Sequence, residues 1–266
     1  MRKISTLMVS VLCMMMPVGA EAQVPTAFVS KGATDIQAQP HSVTQTNSGA
    51  QLAAIDPMVR SITMDNGLPS NAVRSVVQGS KGYMWFGTDN GLCRFDGYDV
   101  KTYYNPFTTV DQFVSALTAC EEGLLVGCNN GAYLFCNATD RFQKLSDKIT
   151  APVLNFSLDG DQNVWISTNG QGVFRYNRTT HELHQYPMKN IQGKVQSTLV
   201  DANNQVWMLC NHGEASIYHL NKSTDQFEAF PLKGDATMFH GMAMLATPDG
   251  NVYVGTWENG LYKLNA

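Results

Sequence analysis

Five aromatic or apolar residues, spaced 40 to 46 residues apart, each stand at the centre of a short apolar run. They are Trp85, Leu125, Trp165, Trp207 and Tyr253, and the successive intervals are 40, 40, 42 and 46 residues. Short runs bounded by Gly, Asn and Asp predict β-strands. A recurrence of this length is typical of an all-β protein of the β-propeller class, in which each repeat forms one blade.

Each repeat predicts four antiparallel strands. The first strand is expected to begin twelve residues before the anchor, at Val73, Phe113, Val153, Val195 and Gly241. The anchor run is the second strand, a third follows a polar loop, and a fourth follows in the first four repeats. The second strand is apolar at nearly every position, so both of its faces must be buried, and neighbouring blades would cover them. Coincidence among the short strands of another sandwich is the alternative.

Three regions are predicted along the 266 residues. Residues 1–22 have a basic start, an apolar run and an Ala-x-Ala ending, as in a secretory signal peptide, with a retained membrane anchor as the alternative. Residues 23–57 are polar and without a sustained period, so a disordered linker is expected. Residues 58–266 are predicted to form blades at about 65–105, 106–146, 147–188, 189–232 and 233–266. The signal predicts a periplasmic location.

Charge and the candidate catalytic groups limit the function classes. A net charge of −4 argues against a nucleic-acid partner, which needs clustered Lys and Arg. The predicted first strands contain no Asp or Glu, whereas a five-bladed glycosidase would place its two carboxylates there. The six histidines lack metal-ligand spacing. We therefore expect no catalytic residue, no metal site and no cofactor, and hence no enzyme.

The first repeat resembles a known family. Asp65-Asn66-Gly67-Leu68-Pro69, Gly82-Tyr83-Met84-Trp85-Phe86-Gly87-Thr88-Asp89-Asn90-Gly91-Leu92 and Arg94-Phe95-Asp96-Gly97-Tyr98 resemble the two-component regulator propeller repeat. The resemblance is specific in this repeat and looser in the next four, and it covers residues 58–266.

This resemblance implies the periplasmic sensor region of a Bacteroides-type hybrid two-component system, which usually detects breakdown products of complex polysaccharides. In that family two propellers usually precede an immunoglobulin-like domain, a membrane helix, a histidine kinase and a response regulator. This sequence has fewer blades and no predicted membrane helix or kinase, so a fragment of a larger propeller array is expected. The alternatives are a complete five-bladed ring that acts as a secreted lectin or scaffold and, more weakly, a glycosidase. Homodimer formation in a full-length receptor is left open.

The loops between second and third strands are the candidate glycan or oligosaccharide site. All five are expected at one end of the propeller, and their amides and carboxylates suit sugar hydroxyls. The candidates are Trp257, Glu258, Asn259, Asn129, Asn130, Asn211 and His212. Trp257 stands out because a turn has no backbone requirement for Trp, and an indole can stack on a sugar ring. The alternatives are that the Asn residues only form turns and that Trp257 covers the channel or packs on another blade.

Two further expectations concern closure and cysteine. The segment Val59–Met64 is predicted to be a strand that could complete the last blade. Five cysteines follow the signal region: Cys93, Cys120, Cys128, Cys136 and Cys210. Two strand spacings would separate Cys120 from Cys136 by about 9.6 Å, beyond the reach of a disulfide, so free buried thiols are expected.

Overall fold

The computed structural model describes residues 61–187, 194–211, 217–230, 241–257 and 260–264. It confirms the predicted all-β fold of propeller blades. Blade one contains β1 (Val73–Gln78), β2 (Met84–Thr88), β3 (Gly91–Phe95) and β4 (Val100–Tyr103). Blade two contains β5 (Val114–Ala119), β6 (Gly123–Cys128), β7 (Gly131–Cys136) and β8 (Arg141–Lys144). Blade three contains β9 (Val153–Leu158), β10 (Asn163–Thr168), β11 (Gly172–Asn177) and β12 (Leu183–Tyr186). Blade four contains β13 (Lys194–Val200), β14 (Val206–Asn211), β15 (Ile217–Asn221) and β16 (Gln226–Ala229). Blade five contains β17 (Gly241–Ala246), β18 (Val252–Thr256) and β19 (Leu261–Leu264).

Strands pair antiparallel in chain order within every blade, and blade five has three strands among the residues described. Consecutive blades pack through their first strands, which places β5 between β1 and β9, and β13 between β9 and β17. Each second strand therefore lies between a first and a third strand of its own sheet and beneath the neighbouring blade. The anchors Trp85, Leu125, Trp165 and Trp207 are buried, as both-face cover requires. Tyr253 is partly exposed.

One predicted register is wrong. In blade two, Val114 and not Phe113 pairs with the end of the second strand, at Cys128, as Val73 pairs with Thr88 in blade one. The offset from Leu125 is thus eleven residues instead of twelve. The cause is a shorter turn, because the Cys120 N–H donates to the Gly123 carbonyl across two residues. In blade three, the corresponding bond from Asp159 to Asn163 encloses three residues.

The predicted strand Val59–Met64 is also wrong for its described part. Residues 61–63 form no strand, and Met64–Asn66 is a 3-10 helix. The Asn66 side chain accepts from the Thr63 N–H at 3.0 Å, and Gly67, at φ 100°, ends the helix. Polar capping therefore takes the backbone groups that a strand would pair. Val59 and Arg60 lie outside the described residues.

An aspartate holds the indole in two of the blades. Asp159 and Asp201 each stand six residues before a buried Trp, and each accepts from its Nε1–H at 2.9 Å. The other carboxylate oxygen accepts two amides of the same turn, which for Asp201 are those of Asn203 and Gln205. These carboxylates are therefore structural, as the turn-capping interpretation predicts. Blade five has Thr247 at this position, and its anchor Tyr253 carries no indole N–H.

Replacing Asp201 with Ala should lower the unfolding free energy by about 2 kcal/mol, because a buried indole N–H and two turn amides lose their acceptor. Urea unfolding followed by Trp fluorescence measures the change. Asp147→Ala is the control, since that side chain is almost fully exposed and should change stability little. Equal effects of the two substitutions would contradict this account of the turn.

A charged hydrogen-bond cluster, which we call a clasp, joins blade three to blade four and consists of Arg175, Tyr186 and Asp225. The Arg175 guanidinium donates to both oxygens of Asp225 at 2.8 and 3.1 Å, and Tyr186 Oη donates to the same carboxylate at 2.8 Å. Arg175 also lies 5.7 Å from the Trp165 ring centre. A similar set joins blades one and two, where Asp140 accepts from Lys101 and Tyr103. Blades two and three are likewise joined by a charged pair, because the Arg178 guanidinium donates to Glu122 at 2.8 Å. Leu125, Leu134, Leu145 and Leu183 belong to the apolar cluster at this interface.

The clasp predicts a specific pH dependence. Partial burial raises the pKa of Asp225, but the bonds from Tyr186 and Arg175 outweigh it and leave the pKa lowered. Its stabilisation should therefore be complete above the unfolded pKa of about 3.9 and be lost as the pH falls through the lower folded value. Asp225→Asn should be less stable than the unsubstituted chain at pH 7, and the difference should shrink between about pH 4 and pH 2. A difference that stays constant with pH in urea unfolding would contradict this.

Candidate functional site

In every blade the second strand ends and the third strand begins at the same end of the sheet. We call it the loop end. Antiparallel pairing also brings the connections that enter each first strand to this end, so residues 104–113 and 145–152 belong to it. The loop end of the described blades thus combines two sets of connections, of which the sequence prediction considered one.

Each first strand has a β-bulge near its start, at the second residue in four blades and at the third in β13. The pairing shifts by one residue between Val73 and Ser75, and equivalent shifts occur in the other four blades. The residues that the register skips are Arg74, Ser115, Leu154, Gln196 and Met242. All lie beside the loop end. A bulge redirects a side chain and is common next to binding sites.

Four of the predicted contact residues lie in the described part, and they differ in availability. Trp257 directly follows β18 and is 54% exposed, so its indole faces solvent. Asn129 is half-buried and donates to Asp111 at 2.7 Å. Asn130 and Asn211 each have a buried side-chain oxygen without a hydrogen-bond partner among the described residues.

Glu258, Asn259 and His212 lie outside the described residues. Within the described part, no hydrogen bond links Trp257 to the candidate residues of the other loops. Asn129 and Asn130 thus lie together in one loop, and Trp257 is a separate candidate residue at the same end of its blade.

Several other polar groups of the loop end are already engaged. Arg74 donates to both oxygens of Asp89 at 2.6 and 2.9 Å, which closes the loop of blade one. The Gln171 side chain accepts from the backbone of Thr150 and Ala151. For these loops the turn-forming interpretation accounts for the polar residues.

Sequence reasoning missed Phe107 and Asp111, which lie in the connection from β4 to β5. Phe107 is 51% exposed although its ring packs on Tyr133. Asp111 is the partner of Asn129. The aromatic residue directly after Pro106 was the available signal, but only the fold places this connection beside blade two.

The first strands contain no Asp or Glu, as their sequences indicate. Across the described ranges, no group of three His, Cys, Asp or Glu is arranged to hold a metal ion. No helix in the described part is long and apolar enough to cross a membrane.

Residues 67–90 match the family model described as two component regulator propeller. The chain carries a two-component regulator propeller repeat. This confirms the resemblance drawn from the first repeat, and the regulator propeller repeat includes the Arg74–Asp89 pair that closes the first loop. No curated protein matches the chain in sequence.

Solved structures share the fold. The extracellular domain of one Bacteroides thetaiotaomicron protein, described as a hybrid two component system, superposes with a TM-score of 0.63 at 20% identity, covering 74% of this chain and 27% of that one. A second such domain from the same organism gives 0.64 at 18% identity, covering 78% and 30%. Virginiamycin B lyase from Staphylococcus aureus gives 0.62 at 16% identity, covering 75% and 68%. The chain spans less than a third of the two extracellular domains. Identities this low establish the fold alone.

Two cavities lie away from the loop end. One, of about 510 Å³, is lined by Trp207, His219 and Phe230 of blade four. Its counterpart beside Trp165 is filled by Phe227 of the following blade. The other, of about 540 Å³, is polar and lies on blade three beside Arg175. The first cavity thus corresponds to a packing position between blades.

The five cysteines are free thiols in the structure, and four of them are buried. Cys136 is only partly buried, which corrects the expectation that all five are buried. Burial raises the pKa of Cys128 and of Cys210 to about 12. The hydrogen bond to the Thr139 side chain instead lowers the pKa of Cys136.

Cys136 should therefore be the first of these five to react with N-ethylmaleimide at pH 7.5, because more thiolate is present and more of the sulfur is accessible. Mass-spectrometric peptide mapping over time identifies the modified residue. Cys136→Ser should remove the fast phase, whereas Cys128→Ser should keep it. Faster labelling of Cys128 or Cys210 would contradict the burial described here.

Proposed function

We propose that this chain is the extracytoplasmic ligand-binding portion of a two-component signalling receptor and that it senses a glycan or oligosaccharide. The regulator propeller repeat at residues 67–90 is the observation that carries the proposal. The shared fold with extracellular domains of two hybrid two component systems supports it. In this proposal the chain binds and signals, performs no catalysis, and is located in the periplasm.

The loop end is the proposed ligand surface. Trp257 offers an exposed indole, whose face can cover the C–H face of a sugar ring. Asn130 and Asn211 add half-buried amide side chains at this end, and amide groups can bond sugar hydroxyls. A mixture of one aromatic face with amide groups suits a neutral, polyhydroxylated ligand better than a charged one.

Substituting Trp257 with Ala should weaken oligosaccharide binding about tenfold, since the stacking face is lost while the strand before it is unchanged. Calorimetric titration of the full chain with neutral hexasaccharides of glucose, xylose and mannose measures the affinity. Tyr98→Ala is the matched control, because Tyr98 is 86% exposed and lies at the opposite end of blade one.

A transcription reporter driven by a full-length receptor carrying this propeller tests the signalling part. Trp257→Ala should shift the oligosaccharide dose response to higher concentration at equal protein levels. Hexasaccharide binding with no effect on any reporter would favour a secreted lectin. An unchanged dose response would remove Trp257 from the site.

A further inference from the structure

The connection between blades one and two folds back over the loop end of blade two and is held there by polar bonds. The Gln112 side chain accepts from the Asn105 N–H at 2.6 Å and donates to the Asn105 carbonyl at 3.2 Å. Asn105 is buried, and its amide donates to Cys128 Sγ at 3.7 Å. Residues 105–112 therefore form a closed loop with a fixed position on β6.

This loop presents an aromatic ring to solvent. The rings of Phe107 and the fully buried Tyr133 are stacked, with centroids 5.5 Å apart and planes at 26°. Phe107 nevertheless remains 51% exposed. One face of a ring fixed in this way is supported by protein, so stacking on its other face costs little conformational entropy.

A connection at this position can cover the core without leaving a large apolar side chain as exposed as Phe107. The next connection, from blade two to blade three, performs the same task with Ile149, which is 0% exposed. Phe107 is thus exposed where the corresponding connection has a fully buried aliphatic residue, and this difference indicates a role for Phe107 beyond core packing.

The loop that carries Phe107 also contains polar groups. Asp111 lies four residues after Phe107 and accepts from the Asn129 amide at 2.7 Å, which ties the loop to the second-to-third-strand connection of blade two. Both side chains are partly exposed. The Asn130 side-chain oxygen, next in sequence, is buried and unpartnered within the described residues. A carboxylate–amide pair can accept from one hydroxyl and donate to another.

We infer that Phe107, Asp111 and Asn129 form a second sugar-binding subsite at the loop end of blade two, which takes one neutral pyranose unit of the ligand. The ring face of the sugar stacks on Phe107, and two of its hydroxyls bond to the Asp111–Asn129 pair. The inference rests on the proposed function and extends the ligand surface beyond Trp257. It also implies that the ligand is an oligosaccharide, because two separate aromatic contacts engage two units.

The test uses the same calorimetric titrations of the full chain with neutral hexasaccharides. Phe107→Ala and Asp111→Asn should each weaken binding of the recognised hexasaccharide about tenfold. Phe107→Trp should keep the affinity, because it retains a stacking face. Tyr98→Ala is again the control, and circular dichroism checks that each variant is folded. Should Phe107→Ala not fold, Asp111→Asn and Phe107→Trp keep the test decisive.

The outcomes separate this subsite from the proposed function. Hexasaccharide binding that Trp257→Ala weakens and that Phe107→Ala and Asp111→Asn leave unchanged would overturn the subsite alone. Absence of binding by every hexasaccharide at millimolar concentration would overturn both. Weakening by both blade-two variants, with Phe107→Trp unaffected, would establish the subsite.

Discussion

The second strand of each blade needs cover on both faces, and the rest of the fold depends on that requirement. In β6 all six residues from Gly123 to Cys128 are buried. Side chains of a strand alternate between two faces, so a single sheet leaves half of such a strand in water. The next blade supplies the cover, and it approaches closely: a Cβ on Gly127 would lie 2.8 Å from Val153 Cγ1, and one on Gly87 would lie 2.7 Å from Val114 Cγ1. Glycine is needed at these positions because the neighbouring valine occupies the space of a side chain.

Polar bonds between first strands then fix each blade against the next. At the first and third interfaces a side chain of the earlier blade accepts from a backbone N–H of the later one, with Ser75 and Asn155 as acceptors at 3.1 Å. At the second and fourth interfaces the side chain donates to a backbone carbonyl, with Ser115 and Gln196 as donors at 2.5 and 2.9 Å. Two of these side chains, Ser115 and Gln196, are the bulge residues of their strands. The bulges therefore contribute to blade packing as well as to the loop end.

How far the sequence predicts the structure follows from which forces are local. The anchors and most strand bounds were predictable, because a strand buried on both faces requires consecutive apolar residues. The same apolar run recurs in every blade. The register of blade two was not, since a turn shortened by one residue shifts pairing without changing the apolar pattern. The 3-10 helix at Met64–Asn66 also escaped prediction, because capping by Asn66 and Asn71 overrides strand propensity. Similarly, the site prediction found Trp257 from its residue type but missed Phe107, whose significance depends on a connection folding over the next blade.

The two ends of the blades differ in how much their side chains contribute to packing, and this difference explains why ligand-binding residues can lie at the loop end. At the opposite end, Asp159 and Asp201 are committed to buried indoles, and Asp140 and Asp225 to clasps between blades. Replacing them would cost packing as well as a hydrogen bond. At the loop end the second strands already have their cover, and the turns are closed by backbone bonds or by single pairs such as Arg74–Asp89. Exposed side chains there, such as Trp257, can change without exposing a core face. A propeller built from one repeated blade can therefore acquire different ligand contacts in each loop while every blade retains the same interior.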